Sequence, residues 1–131
     1  MDELTPTEFT QRRILVVDDD EAVLAFWKAK LAARYEVLTT SSPESVLAMA
    51  RREKPELILC DVDMPDVDGG DISSALFADD ELRGIPVLFL TGLVGPAELK
   101  RLAGQLGGRA AASKSEPVEA IVARIESLLA G

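Results

Sequence analysis

Six polar residues stand where apolar runs stop. Asp18 and Asp19 follow Ile14-Leu15-Val16-Val17, and Asp61 follows Leu57-Ile58-Leu59-Cys60 with Asp63 close behind. Thr91 follows Pro86-Val87-Leu88-Phe89-Leu90, and Lys114 follows the stretch Arg109–Ser113. Carboxylates brought together repel one another unless a cation joins them. Mg²⁺ suits such a set, because it prefers one or two carboxylates together with water and phosphate oxygens. An Asp beside that ion can attack phosphorus and form an acyl phosphate. An ammonium and a hydroxyl can then neutralise the oxygens of the transferred group. The residue types therefore point to phosphoryl chemistry.

Several other chemistries are excluded. The chain of 131 residues contains no histidine, which removes Ser-His-Asp and Cys-His nucleophiles, His-ligated zinc and a phosphohistidine carrier. Its single cysteine forms no internal disulfide, and a reducing cytoplasm is the expected location. A net charge of −9 repels phosphate backbones and anionic lipid, so direct nucleic-acid binding is not expected. Apolar runs as short as Val87–Leu90 do not span a bilayer, and no membrane association is expected.

These residues need elements to carry them. Ile14–Val17 has the β-branched, continuous character of a strand buried on both faces, Leu57–Cys60 and Pro86–Leu90 read as further strands, and Arg109–Ser113 is a weak, Ala-rich fifth. Between the runs, apolar residues recur at helical spacing. Val23, Phe26, Trp27 and Leu31 predict a helix over 21–34, with Trp27 and the phenylalanines in the core. Tyr35–Thr39 predicts a second strand, and Ser42-Pro43 opens a helix running to about Glu53. Ile72, Ala75 and Leu76 mark a third helix. Leu99, Leu102, Ala103 and Leu106 mark a fourth, and Val118, Ile121, Val122, Ile125 and Leu129 a last one. A β-α alternation repeated five times implies an α/β fold with a parallel sheet covered on both faces. In such sheets ligands bind beyond the carboxyl ends of the strands, where the six polar residues fall. Residues 1–11 are polar and aperiodic and read as a tail, leaving 12–131 as one domain.

Taken singly, each signal has a plainer explanation. Asp18-Asp19-Asp20 suits a helix N-terminus, Asp61 a turn, and Lys114 a solvated surface. Cys60 reads as a small buried apolar residue. The acids of 61–71 do not form an EF-hand loop, since its sixth and twelfth positions hold Asp66 and Ile72 in place of Gly and Glu. Their joint occurrence at successive strand ends reverses the balance.

The set Ile14–Asp19, Leu57–Asp61 with Met64-Pro65 and Asp68-Gly69, Leu90-Thr91-Gly92 and Ser113-Lys114 resembles the receiver domain of bacterial two-component response regulators. The resemblance implies a flavodoxin-like doubly wound fold, with a five-stranded parallel sheet of order 2-1-3-4-5 and five helices. It implies Asp61 as phosphoacceptor, with Mg²⁺ held by Asp18, Asp19, Asp61 and the backbone carbonyl of Asp63. The Asp63 carboxylate would lie near the phosphoryl group, where it tunes acyl-phosphate lifetime. Thr91 would bond a phosphoryl oxygen and Lys114 would pair with Asp61. Implied partners are a sensor histidine kinase or phosphotransfer protein and a separate output protein or missing output domain. A homodimer through the fourth helix, fifth strand and last helix is a further option. Beyond its own Mg²⁺-dependent phosphorylation and dephosphorylation, such a domain is not an enzyme.

Two positions depart from the family pattern. Ser115 stands where the family usually has Pro after the Lys, commonly in a cis bond, which without Pro costs about 2.5–4 kcal/mol. A different loop and a displaced Lys114 are therefore expected. Ala111 stands where the family places its switch aromatic, so signal transmission is expected to differ. Gly92 after Thr91 adds backbone freedom to its loop. Two alternatives follow: a pseudo-receiver interaction module that is not phosphorylated, and a phosphatase of the haloacid-dehalogenase type, which Asp61-Val62-Asp63 resembles. Against the phosphatase, that family's paired acids follow the Lys.

Overall fold

Alternate residues of the first strand face opposite ways, and this splits the core into two layers. The computed structural model describes residues 11–64, 69–106 and 109–131. Its elements in chain order are β1 (Arg12–Val17), α1 (Glu21–Leu31), β2 (Tyr35–Thr40), a 3₁₀ turn (Pro43–Ser45) and α2 (Val46–Glu53). They continue with β3 (Leu57–Asp61), α3 (Gly69–Ala78), β4 (Val87–Thr91), α4 (Pro96–Arg101), β5 (Gln105–Leu106), β6 (Arg109–Ser113) and α5 (Val118–Ala130). Ile14 and Val16 of β1 join Leu57 and Leu59 of β3 against Leu24, Trp27 and Leu31 of α1 and Ile121 and Ile125 of α5. Leu15 and Val17 join Ile58 and Cys60 against Val46 of α2, Leu76 of α3 and Leu99 of α4. Helices on both faces explain why the strands are apolar throughout rather than alternating.

The sheet order is β2-β1-β3-β4-β6-β5. The five parallel strands have the expected 2-1-3-4-5 order, with β6 as the fifth of them. The sheet departs from expectation by one added strand: β5 pairs antiparallel with β6 through Gln105↔Ala110 and Leu106↔Arg109. The helix expected to carry Leu106 stops at Arg101, because Ala103 and Gly104 both have positive φ (60° and 71°) and reverse the chain.

Other expectations also shift. The first helix ends at Leu31, with Ala32 as its cap. Ser42 makes no capping bond; its hydroxyl donates to Glu44 Oε1 at 2.6 Å, and the segment starts as a 3₁₀ turn. Phe89 is core, but Phe26 and Phe77 are 42% and 64% exposed, so helical spacing overstated the apolar face. Phe26 instead packs edge-on against Trp27, with centroids 5.3 Å apart. Residues 1–10 of the expected tail, and Pro65 to Asp68 of the expected site loop, lie outside the described residues.

Candidate phosphoryl-transfer site

The strand registers assemble the site. Val17 pairs with Cys60, Asp61 with Leu90, and Thr91 with Ser113. The carboxyl ends of β1, β3, β4 and β6 are therefore level, and the polar residues that follow them meet at one edge. Carboxylate oxygens of Asp18, Asp19 and Asp61 lie within 4.8 Å of one another. Asp18 and Asp61 are each 4% exposed, whereas Asp19 is open to solvent.

Two of the three acids are held by their own turns. Asp18 Oδ1 accepts from the Asp20 amide at 2.9 Å, and Asp61 Oδ1 accepts from the Asp63 amide at 3.0 Å. Asp20 caps α1 by accepting from the Ala22 amide at 2.9 Å. Thus the plain capping role belongs to Asp20, leaving Asp18 and Asp19 at the site. Three hard carboxylates, one of them facing water, suit a divalent cation such as Mg²⁺, which keeps several water ligands.

Lys114 joins these acids from the end of β6. Its Nζ lies 2.8 Å from Asp61 Oδ1 and 3.4 Å from Asp63 Oδ2. The expected displacement of Lys114 does not occur. No cis peptide bond is present among the described residues. Instead the Lys114 amide donates to the Thr91 carbonyl at 2.8 Å, extending the β4–β6 ladder by one residue. The turn beyond is stitched by polar groups: Ser113 Oγ and Ser115 Oγ are 2.8 Å apart, and Glu116 Oε2 accepts from the Ser113 amide at 2.7 Å. Ser115 thus supports the lysine in the place of proline.

Asp63 and Thr91 form the third side. Thr91 Oγ1 donates to Asp63 Oδ1 at 3.2 Å, and the Gly92 amide donates to Asp63 Oδ2 at 2.6 Å. The Leu93 amide in turn donates to Thr91 Oγ1 at 3.0 Å. The sequence flagged Gly92 only for its backbone freedom and gave no sign that its amide meets Asp63, which is a contact between distant segments. Sequence reasoning also missed a shallow pocket of about 250 Å³ beside the site, lined on one side by Val23, Phe26 and Trp27 and on the other by Lys114 and Ile121.

The crowding is visible in proton affinities. Asp18 is pushed up to about 6, chiefly by burial; the Asp20 amide and Lys114 pull against this, while Asp61 and Asp19 add to it. For Lys114, burial draws the ammonium down, but the hydrogen bonds and attraction of Asp61 and Asp63 outweigh it and hold its pKa above the usual lysine value. Burial, then the neighbouring Asp61 and Asp18, pushes the Cys60 thiol up to about 12, so it is no nucleophile.

Known proteins share this arrangement of chain. Residues 14–126 match the response regulator receiver domain family. The chain is 41% identical over 119 residues to response regulator PleD of Caulobacter vibrioides, covering 88% of this chain and 26% of PleD, so it spans about a quarter of that relative's length. It is 32% identical over 119 residues to the polar-differentiation response regulator DivK of Brucella anthropi, covering 90% of this chain and 96% of DivK. Among solved structures, a response regulator from Chloroflexus aurantiacus superposes with a TM-score of 0.77 at 26% identity, covering 93% of this chain and all of the other (100%).

Proposed function

As the chain belongs to the response regulator receiver domain family and is therefore a signalling domain of two-component systems, we propose that it is a phosphoacceptor whose acceptor is Asp61. The observation that carries this reading is the Lys114–Asp61 pair at 2.8 Å, set against the Asp18–Asp19–Asp61 carboxylates. A buried carboxylate beside an ammonium and two further carboxylates that suit a divalent cation supports nucleophilic attack on phosphorus.

In this reading an Asp61 oxygen attacks phosphorus of a phosphohistidine or small acyl phosphate. The bond from phosphorus to the donor breaks, the donor leaves with that electron pair, and an aspartyl phosphate remains. Asp18, Asp19, Asp61 and the Asp63 carbonyl would hold Mg²⁺, which when bound supplies charge neutralisation for the phosphoryl oxygens. Lys114 and the Thr91 hydroxyl supply further positive charge and a hydrogen bond to the same oxygens. Water later cleaves the acyl phosphate and restores the carboxylate. The phosphoryl donor would be a histidine kinase or phosphotransfer protein, and the changed surface would be read by a separate output protein or an attached output domain. Relatives of both kinds of length, PleD and DivK, are compatible with either arrangement.

Intact-mass spectrometry after incubation with acetyl phosphate tests the proposal. A single Mg²⁺-dependent phosphoryl adduct is expected in the parent protein and none in Asp61→Asn. An undiminished adduct in that variant would falsify the acceptor assignment. The alternative of a non-phosphorylated interaction module draws support from Ala111, which offers only a buried methyl where the family has its aromatic; absence of any adduct, together with silence towards beryllofluoride, would favour it.

A further inference from the structure

The Asp63 carboxylate gathers three donors from two other strand ends: the Thr91 hydroxyl at 3.2 Å, the Gly92 amide at 2.6 Å and the Lys114 ammonium at 3.4 Å. Among the described residues the Asp61 carboxylate accepts from Lys114 and the Asp63 amide. A phosphoryl group on Asp61 brings several anionic oxygens to this edge of the sheet. Among the described residues, the Thr91 hydroxyl, Gly92 amide and Lys114 ammonium stand at that edge, and Asp63 already holds all three. We infer that Asp63 is a positioning residue that fills, as an internal carboxylate, the donor set a phosphoryl group must take, and so restrains the resting protein from accepting one. This rests on the reading of Asp61 as the acceptor.

The geometry gives the restraint a release and a consequence. The Asp63 side chain is 20% exposed, so it has a path outward to water. Lys114 is already shared between Asp61 and Asp63, and a phosphoryl group would add further negative charge competing for the same ammonium, hydroxyl and short amide bond, so its arrival expels the Asp63 carboxylate. Freed of Asp63, Thr91 and Gly92 turn towards Asp61. Leu93, whose amide is tied to Thr91 Oγ1 and whose side chain is 87% exposed, moves with them. The site thereby reaches the surface ahead of α4 without using the side chain at position 111.

Beryllofluoride binding in the presence of Mg²⁺, followed by isothermal titration calorimetry, tests this on the parent, Asp63→Asn and Asp63→Ala. Asn keeps the size of the side chain and removes its charge; Ala removes both. Both variants should bind about tenfold or more tightly than the parent, since charge-assisted bonds no longer compete. Both should also melt below the parent, so tighter binding cannot come from a firmer fold. Equal or weaker binding in both variants, with the parent binding normally, overturns the inference alone. Failure of all three proteins to bind removes the acceptor reading and the inference together. Binding by the variants but not the parent is the strongest support.

Discussion

Ala111 donates its backbone N–H to the carbonyl of Gly104 at 3.0 Å. This bond closes the hairpin that replaces the end of the expected fourth helix. Arg124 of α5 clamps the same two residues, donating to the Ala111 carbonyl at 3.2 Å and the Gly104 carbonyl at 2.7 Å. The strand in which the family places its aromatic is thus fixed through its backbone.

The clamp has a measurable contribution. Gly104 has φ of +71°, and a Cβ there would lie 2.9 Å from the Arg124 guanidinium nitrogens. The guanidinium can yield, but the backbone conformation still opposes alanine, so Gly104→Ala should cost about 1–2 kcal/mol. Arg124→Met should cost about the same, through loss of two bonds to carbonyls. Since both act on one contact, the double variant should lose less than the sum in urea denaturation. Strict additivity would mean the clamp is not one unit.

Cation binding should depend on pH through Asp18. Its folded pKa of about 6 lies above the ordinary 3.8, so the ionised form is disfavoured in the fold. For the metal-free protein this penalty is present above pH 6 and is relieved as pH falls towards 3.8, so this group alone makes folding more favourable on mild acidification. Mg²⁺ binding needs the ionised form and has the opposite trend. Affinity should be level above about pH 7 and fall through pH 6, approaching tenfold per unit below it, as expected for displacement of one proton. Titrations across this range should show the break, and Asp18→Asn should bind weakly with no break there.

Lys114 and the cation should be separable. Lys114 opposes a second positive charge at Asp61 but assists the phosphoryl oxygens. Lys114→Ala should therefore bind Mg²⁺ at least as tightly as the parent, while its phosphorylation rate with acetyl phosphate falls about a hundredfold, the usual scale for loss of one electrostatic donor. Equal loss of both properties would mean that the substitution disorders the site.

Much of this was legible because it is local. The runs ending at Val17, Cys60 and Leu90 are strands by composition, the Ala-rich stretch ending at Ser113 is one by its place in the alternation, and the residue after each lands at the same sheet edge by topology. The β5 hairpin was hidden because Leu99, Leu102 and Leu106 keep helical spacing through Gly104; the glycines at 104, 107 and 108 were the signal of reversal that this spacing masked. Exposure of Phe26 and Phe77 was hidden because periodicity marks a face without saying what covers it. The Asp63–Gly92 bond joins segments far apart in sequence, and the support of Lys114 by Ser113, Ser115 and Glu116 depends on how the turn closes. The first has no local signature; the second follows a Ser-x-x-Glu pattern ahead of the last helix, which marks a turn without saying that it supports a lysine.

Restoring the family's aromatic should not restore its switch. Ala111 is 1% exposed, pairs with Phe89 across β4 and β6, and belongs to the layer that includes Leu99 of α4. The methyl is enclosed by side chains on the sheet and helix, and its backbone is held by Gly104 and Arg124. A phenol there overfills the layer, and the surrounding elements must shift to admit it. Ala111→Tyr should lower stability by about 1–3 kcal/mol in chemical denaturation. Adduct formation at Asp61 should persist, because Ala111 pairs with Phe89, two residues before the Thr91↔Ser113 pair at the site's edge of the sheet. A tyrosine accepted without loss of stability would show instead that the sheet edge opens readily at β5 and β6, and that the clamp by Arg124 holds less firmly than its two bonds imply.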